Sequence, residues 1–113
     1  MVHNRNKLLD LFIGNLANAI LHDILEQAIQ DDIIAQRYKK ESVTSLTLAT
    51  NYRAKLNPAA FPLPSKDIIY IKKKLQNKVS RELCLRIAKG YQHIDIALVD
   101  IFIDKQLKHL NVI

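Results

Sequence analysis

The most constraining feature of the sequence is the position of its helix-breaking residues. The chain has two glycines and three prolines, and all three prolines fall between residues 57 and 65, in NPAAFPLPS. Proline cannot lie inside a continuous helix, because it lacks a backbone N–H and its ring clashes with the preceding turn. The sequence therefore predicts long elements on either side of one Pro-rich connection, rather than many short strands joined by turns.

The composition indicates one globular domain. Of the 113 residues, 49% are apolar and 25% are charged, which is enough apolar material for a core and argues against disorder. We predict a single helical domain over residues 1–113, with a flexible N-terminus at residues 1–6, because neither half alone could bury much core. The one cysteine, Cys84, excludes an internal disulfide and a thiolate-only zinc site. No run approaches the roughly 18 apolar residues of a membrane span, so we expect a cytoplasmic protein without one.

Apolar residues recur at helical spacing in the first segment, which predicts a helix over residues 7–30. Its apolar stripe consists of Leu9, Phe12, Ile13, Leu16, Ile20, Ile24 and Ala28. The opposite side, which we expect to face solvent, carries Asn15, Asn18, His22 and Glu26. Three further leucines lie off the stripe: Leu11, Leu21 and Leu25. They predict a homodimer through this helix, or else a second neighbour within the chain.

A second helix is predicted to begin at Asp31 or Asp32, since a carboxylate can accept hydrogen bonds from the free N–H groups of a first turn. One face of this helix carries Ile34, Tyr38, Ser42, Ser45, Ala49, Tyr52 and Leu56. The small residues among them would let another helix approach closely. Residues 43–50 are rich in β-branched and hydroxyl side chains, which lower helix propensity, so a strand is the alternative there. We favour helix, because no second strand is evident with which this segment could pair.

The third helix is predicted to begin at a Ser65 cap and to end at Gly90. Its apolar stripe consists of Ile68, Ile71, Leu75, Val79, Leu83 and Ile87. A fourth helix is predicted over residues 94–110, with Asp95 near its start and the cations Lys105, Lys108 and His109 near its end, as the helix dipole favours. The predicted fold class is therefore all-α, a four-helix bundle built from two helical hairpins.

Positive charge is concentrated in the third helix. Residues 66–89 hold eight basic and two acidic residues, whereas the rest of the chain holds nine of each, so the net charge of +6 resides in this segment. Helical geometry groups four of the cations with Asn77 opposite the apolar stripe: Lys73, Lys74, Lys78 and Arg81. Phosphates are attracted to such a ridge, because neutralising them releases counterions. The alternative is a helix face that is simply solvated.

Arg86 falls on the apolar side of the same helix, near Leu75 and Val79. A buried arginine needs a carboxylate partner, and the fourth helix offers three candidates: Asp95, Asp100 and Asp104. We therefore predict a structural ion pair for Arg86. Asp100 and Asp104, spaced four apart, are further expected to form salt bridges with the basic third helix.

Residues 86–93, RIAKGYQH, resemble the R-x4–6-H motif of the HEPN-domain ribonucleases, which are all-helical and of comparable size. In that family the arginine and the histidine act on the scissile phosphate, so the resemblance implies a ribonuclease that uses Arg86 and His93. Ile87 stands where the family usually has a polar residue, and Gly90 lies between the two positions.

The other reactive side chains favour structural roles. His22 and Glu26 are four residues apart, but two ligands are too few for a metal site. Cys84 has no histidine nearby in sequence, and the leucines on either side of it indicate packing. The sequence contains no glycine-rich phosphate loop. We predict no catalytic residue, no metal and no cofactor.

Three functions are open at this point. The first is a non-enzymatic binding module that contacts nucleic acid or another acidic partner through Lys73, Lys74, Lys78 and Arg81. The second is a structural oligomerisation or adaptor protein on which the basic face is incidental. The third is the ribonuclease that the resemblance implies. Binding that weakens steeply with added salt separates the first from the second, whereas RNA cleavage lost on His93→Ala identifies the third.

Overall fold

Four helices account for the fold. The computed structural model describes residues 4–58 and 61–113, which are 79% helical and contain no strand. The helices are α1 (Arg5–Ala28), α2 (Asp32–Leu56), α3 (Ser65–Ala88) and α4 (Leu98–His109). The predicted all-α class and helical bundle are confirmed. Residues 1–3 of the predicted flexible N-terminus and residues 59–60 of the Pro-rich connection lie outside the described residues.

The first helix, α1, lies at the centre, because it packs against each of the other three helices. A connection of residues 29–31 joins it to α2 in one pair, and α3 packs with α4 in the other. The molecule measures 42 × 24 × 24 Å. A helix of 24 residues is about 36 Å long, so the long helices run along its longest dimension. Phe12, Leu16 and Ile20 of α1 have no exposed surface.

Two of the three off-stripe leucines of α1 belong to this core. Leu21 and Leu25 are buried within the chain, and Leu11 is half-buried. Neighbours within the chain therefore account for the wide apolar surface of α1, which is the alternative to a dimer that the sequence left open. The homodimer stays a prediction, and Leu21 and Leu25 are not available to form its interface while the core is closed.

Small side chains let α2 approach α1 closely, as predicted. Ser42, Ser45 and Ala49 are buried where the two helices meet. The Ser42 hydroxyl lies 2.6 Å from the Asp23 carboxylate and 3.0 Å from the Ala19 carbonyl oxygen, so its proton is shared between two acceptors of α1. The two helices are therefore joined by hydrogen bonds as well as by apolar contact.

Residues 43–50 are helical, so the strand alternative is wrong. The hydroxyls of Thr44, Thr47 and Thr50 each donate to the carbonyl oxygen four residues earlier, at 2.8–3.0 Å. These bonds satisfy the hydroxyl groups within the helix. Packing of the other side of this segment on α1 outweighs its low intrinsic propensity.

Three helices begin at residues other than those predicted, and the first of them, α1, begins at Arg5 rather than at residue 7. Ser65 is the first residue of α3 and not its cap; Pro64 occupies the cap position and offers no side-chain hydrogen bond. The last helix, α4, begins at Leu98, four residues later than predicted. The Asp95 carboxylate accepts a hydrogen bond from the Ala97 N–H at 3.0 Å, which holds the preceding residues in a turn instead.

The predicted N-terminal cap of α2 and the predicted end of α3 at Gly90 are confirmed. The Asp31 carboxylate accepts hydrogen bonds from two N–H groups in the first turn of α2. Gly90, at φ +100°, follows the end of α3, and the N–H groups of Gly90 and Tyr91 bond back to carbonyl groups of its last turn. This left-handed conformation favours glycine. Asn111, at φ +57°, follows α4 in the same arrangement.

The Arg53 guanidinium joins three parts of the chain. Arg53 is 2% exposed, near the end of α2. Its Nε donates to the Leu110 carbonyl oxygen at 2.9 Å, and its Nη1 donates to the Asn57 side chain. Its Nη2 donates to the carbonyl oxygens of Phe61, at 2.7 Å, and Asn111, at 2.9 Å. Burial lowers the pKa of Arg53 from its usual value. The end of α2, the Pro-rich connection and the end of α4 are thereby held together.

In length and composition α1 could cross a membrane. It has 24 residues and contains an apolar 18-residue window, of which 61% is buried inside the molecule. The core helix of a soluble protein and a signal sequence both meet the same criteria. The absence of a membrane span and the cytoplasmic location therefore stay predictions.

We predict that Arg53→Ala destabilises the fold by roughly 3 kcal/mol or more, because it leaves the buried Leu110 carbonyl oxygen without the Arg53 donor and removes the other hydrogen bonds of the buried guanidinium. Arg37→Ala, the same substitution at an exposed position of α2, is the matched control and should cost less than about 0.5 kcal/mol. Urea unfolding followed by circular dichroism measures both. Equal losses in the two variants would show that the buried hydrogen bonds of Arg53 contribute nothing.

Candidate nucleic-acid interface

The four cations predicted to form a ridge are all exposed on α3: Lys73, Lys74, Lys78 and Arg81. We call these four residues the basic ridge. The residues of α3 that are buried in the core are Ile71, Leu75, Val79 and Leu83. The helical period places Lys73, Lys74 and Arg81 away from the buried set and Lys78 at its edge, so the packing of α3 on α1 leaves the basic ridge exposed to solvent.

The basic ridge has no carboxylate partner within residues 4–58 and 61–113. The ion pairs in this part of the chain are Arg5–Asp67, His22–Glu41 and Lys72–Asp104. Asp104 of α4 lies 3.8 Å from the Lys72 amine, as the sequence predicted for a salt bridge to α3. Asp100 instead accepts a hydrogen bond from Gln76 at 2.8 Å. The α4 carboxylates therefore reach the side of α3 that faces α4 and leave the ridge charges unneutralised.

A tyrosine near the start of the basic ridge connects α3 to α1. The Tyr70 hydroxyl donates to Asp10 Oδ1 at 2.8 Å, and the Lys74 amine lies 5.7 Å from the centroid of the Tyr70 ring. The hydrogen bond to Asp10, and secondly desolvation, raise the pKa of Tyr70. With Ile13 and Lys78, these residues line a cavity of about 280 Å³. Asp10 is thus held by a neutral hydroxyl rather than by a ridge cation.

A larger cavity of about 360 Å³ lies between α1 and α3, and we call it the α1–α3 cavity. Two small residues of α1, Gly14 and Ala17, line it and leave room for it. A Cβ added at Gly14 would meet no other atom within 4 Å. On α3 the lining includes two members of the basic ridge, Lys78 and Arg81, together with Arg86. The basic ridge therefore borders a concave site and not only a convex helix surface.

The predicted ion pair of Arg86 is wrong. In the described part of the chain the three candidate carboxylates have other partners: Asp95 with Ala97, Asp100 with Gln76, and Asp104 with Lys72. Arg86 is half-buried, and its guanidinium lies 5.6 Å from the centroid of the Tyr91 ring. Its Nε is buried without a hydrogen-bond partner among the described residues. The turn at Gly90 brings Tyr91, rather than an aspartate of α4, against the guanidinium.

His93, the second residue of the ribonuclease-like spacing, is exposed in the connection between α3 and α4 at φ +66°. Gly90 separates it from the helix that carries Arg86. Among the described residues, no hydrogen bond or ion pair joins Arg86 to His93. The structure thus offers no direct contact in support of the ribonuclease, which stays a prediction from the resemblance.

His22, on the polar side of α1, meets α2, so the prediction that it faces solvent is wrong. His22 is buried; its Nε2 lies 2.9 Å from Glu41 Oε2, and its Nδ1 lies 2.8 Å from the Asn18 carbonyl oxygen. Asn18 Nδ2 donates to Ser45 Oγ at 2.9 Å. Glu26 is not the partner of His22. Sequence reasoning missed these contacts, because a helical period shows which residues share a side but not which side meets another polar helix.

Cys84 is exposed, although its packing was predicted from its neighbours. Leu83 is buried beside it and Leu85 is half exposed, at 50%. Successive helix positions point about 100° apart, so apolar neighbours in sequence do not indicate burial. Within the described residues, no group of three or more His, Cys, Asp and Glu side chains is arranged to hold a metal ion.

Comparisons of the chain with protein-family models, with curated proteins and with solved structures found no significant match. Its function is therefore inferred from its own residues and contacts.

Tyr38 of α2 supplies a pH-dependent test of the packing around Arg86. Its ring centroid lies 5.7 Å from that of His22, and its side chain forms a hydrogen bond with that of Tyr91. Desolvation by burial, followed by this hydrogen bond, raises the pKa of Tyr38. The protonated hydroxyl is therefore favoured by folding.

We expect Tyr38→Phe to cost less stability at about pH 11 than at about pH 8. The pKa in the folded protein lies above the unfolded value of about 10, so the stabilisation is present below pH 10 and is lost as the pH rises through the folded value. Urea unfolding of parent and variant at both pH values measures the difference. A cost that stays constant or grows with pH would contradict the placement of Tyr38.

Proposed function

We propose that this chain is a non-enzymatic module that binds the phosphate backbone of a nucleic acid along the basic ridge. The observation that carries the proposal is the exposure of four cations on one side of α3, with no carboxylate partner among the described residues. A phosphate can contact each of them without breaking an existing ion pair. Release of the counterions from the phosphates then supplies the binding free energy.

The length of the basic ridge matches this partner. Lys73 and Arg81 are eight residues apart, which is about 12 Å along a helix. A duplex carries one negative charge per roughly 1.7 Å of its axis, so about seven phosphates lie along that length. Each of the four cations therefore has a phosphate within reach, and a single-sided ridge orients the polyanion on one face of the protein.

The chemistry of the basic ridge implies binding without base specificity. Three of its members are lysines, whose contacts with phosphates position a protein on a strand but do not read bases. The polar end of Tyr70, whose ring lies beside Lys74, is already bound to Asp10. We therefore expect similar affinities for strands of unrelated sequence at one salt concentration.

We predict that affinity for a duplex oligonucleotide falls about 100-fold between roughly 50 and 200 mM salt, since four phosphate contacts give a slope of about −3.6 in log K against log salt. The ridge variant, in which Lys73, Lys74, Lys78 and Arg81 are all replaced by Gln, should lose this slope and most of the affinity. Fluorescence anisotropy over a salt series measures both quantities. Gln is compatible with helix, and these positions are exposed, so the helical spectrum should not change.

The matched control replaces three lysines and one arginine that are exposed on α2: Arg37, Lys39, Lys40 and Lys55. Both variants lower the net charge from +6 to +2, so a difference between them reports where the charges lie. Equal loss in the two variants would contradict an interface on α3. If the parent does not bind at low salt, the basic ridge is a solvated face, and the adaptor function or an acidic protein partner takes its place.

A further inference from the structure

The α1–α3 cavity contains an arginine whose hydrogen-bonding capacity is unused. Arg86 lines the cavity, and its Nε is buried without a partner in the described part of the chain. A buried donor without an acceptor is costly, so most such groups in proteins are paired. The Tyr91 ring lies against the guanidinium, which holds the side chain in place but accepts no conventional hydrogen bond. The site therefore has a positioned cation that lacks an anion.

The charges around the cavity define what it would accept. Three cations line it, Lys78, Arg81 and Arg86, against one carboxylate, Glu82. None of these four side chains forms an ion pair within residues 4–58 and 61–113. The local excess is therefore about two positive charges. A phosphate monoester carries about 1.5 to 2 negative charges at neutral pH and presents three acceptor oxygens, whereas a carboxylate or a backbone diester carries one.

We infer that the α1–α3 cavity binds the terminal phosphate of a nucleic-acid strand, with Arg86 as the principal contact and with Lys78 and Arg81 completing the charge. This inference rests on the proposed function, because the strand attached to that phosphate would lie on the basic ridge. A guanidinium can bind two phosphate oxygens at once through its planar fork. Lys78 and Arg81 belong both to the ridge and to the cavity lining, so the two sites are continuous.

Oligonucleotides of one sequence with a 5′-phosphate, a 3′-phosphate or two hydroxyl ends test the inference. We expect one phosphorylated form to bind about tenfold more tightly than the hydroxyl-ended form, as for a charge-assisted contact to arginine. In Arg86→Gln this ratio should fall to about one. Equal affinities of the parent protein for all three strands would overturn the inference and leave the proposed function of the basic ridge untouched.

A steric variant tests the same cavity without changing any charge. Gly14→Leu should fill the space between α1 and α3, since nothing lies within 4 Å of a Cβ at that position, and it should remove the preference for a phosphorylated end. The control Thr47→Leu places the same side chain on the exposed side of α2. If Gly14→Leu melts like the parent and keeps the preference, the phosphate does not bind in this cavity.

Inorganic phosphate provides a readout that does not need a nucleic acid. In a ¹H–¹⁵N spectrum of the parent, the Arg86 Nε–H signal and the Gly14 amide should shift on addition of sodium phosphate, but not with sodium chloride at the same ionic strength. An Arg86 signal that responds equally to both salts overturns the inference. A phosphate-specific shift together with no oligonucleotide binding would uphold an anion site, refute the proposed function, and overturn the strand end as its ligand.

Discussion

Contact of α1 with all three other helices determines which surfaces the protein can expose. Each of α2, α3 and α4 buries one side against α1, and its opposite side is turned to solvent. For α3 the exposed surface carries the basic ridge, which reaches the α1–α3 cavity at Lys78 and Arg81, so burial of its apolar stripe and exposure of its cations are two results of one packing contact. The same contact forms the α1–α3 cavity, because the small side chains of Gly14 and Ala17 leave space between α1 and the α3 residues Lys78 and Arg86. A bulkier α1 would bring the same helices together without a concave site beside the ridge.

Arg53 joins α2 to the pair formed by α3 and α4. In the described part of the chain, α2 packs on α1 but not on α3 or α4. The buried guanidinium spans this gap, with bonds to the carbonyl oxygens of Leu110 and Asn111 beyond α4. Burying a charge is costly, and hydrogen bonds to several neutral acceptors offset that cost. The nearby Leu63 N–H donates to the Val112 carbonyl oxygen at 3.3 Å, so the Pro-rich connection and the chain end are joined at the same place.

Features that depend on spacing within one helix were predictable, whereas features that depend on contacts between helices were not. The four helices follow from the helical period together with the Pro-rich break and the signals at the helix ends, and the outward direction of the basic ridge follows from the period. His22 lies on the polar side of α1, as predicted, but that side meets Glu41 of α2. Arg86, predicted to be buried in an ion pair, is half-buried against Tyr91 and has no aspartate partner among the described residues. The sequence does carry a signal for the burial of Arg53: this residue continues the buried series of Ser45 and Ala49 at the same spacing of four. A charged residue in line with small buried ones indicates a buried polar contact.

The order of cations along α3 connects the proposed ridge with the proposed phosphate site. Its middle turns carry Lys73, Lys74 and Lys78, and the turns towards Gly90 carry Arg81 and Arg86. Lysine is a flexible point charge that can follow a phosphate backbone in many registers, whereas arginine has a rigid fork that binds one phosphate in one geometry. A row of lysines alone would let a strand slide along α3. An arginine positioned by Tyr91 at the end of the row would fix one phosphate. That single contact would then determine where the rest of the strand lies along α3. In the proposed complex, therefore, the lysines supply most of the salt-dependent affinity and Arg86 supplies the position.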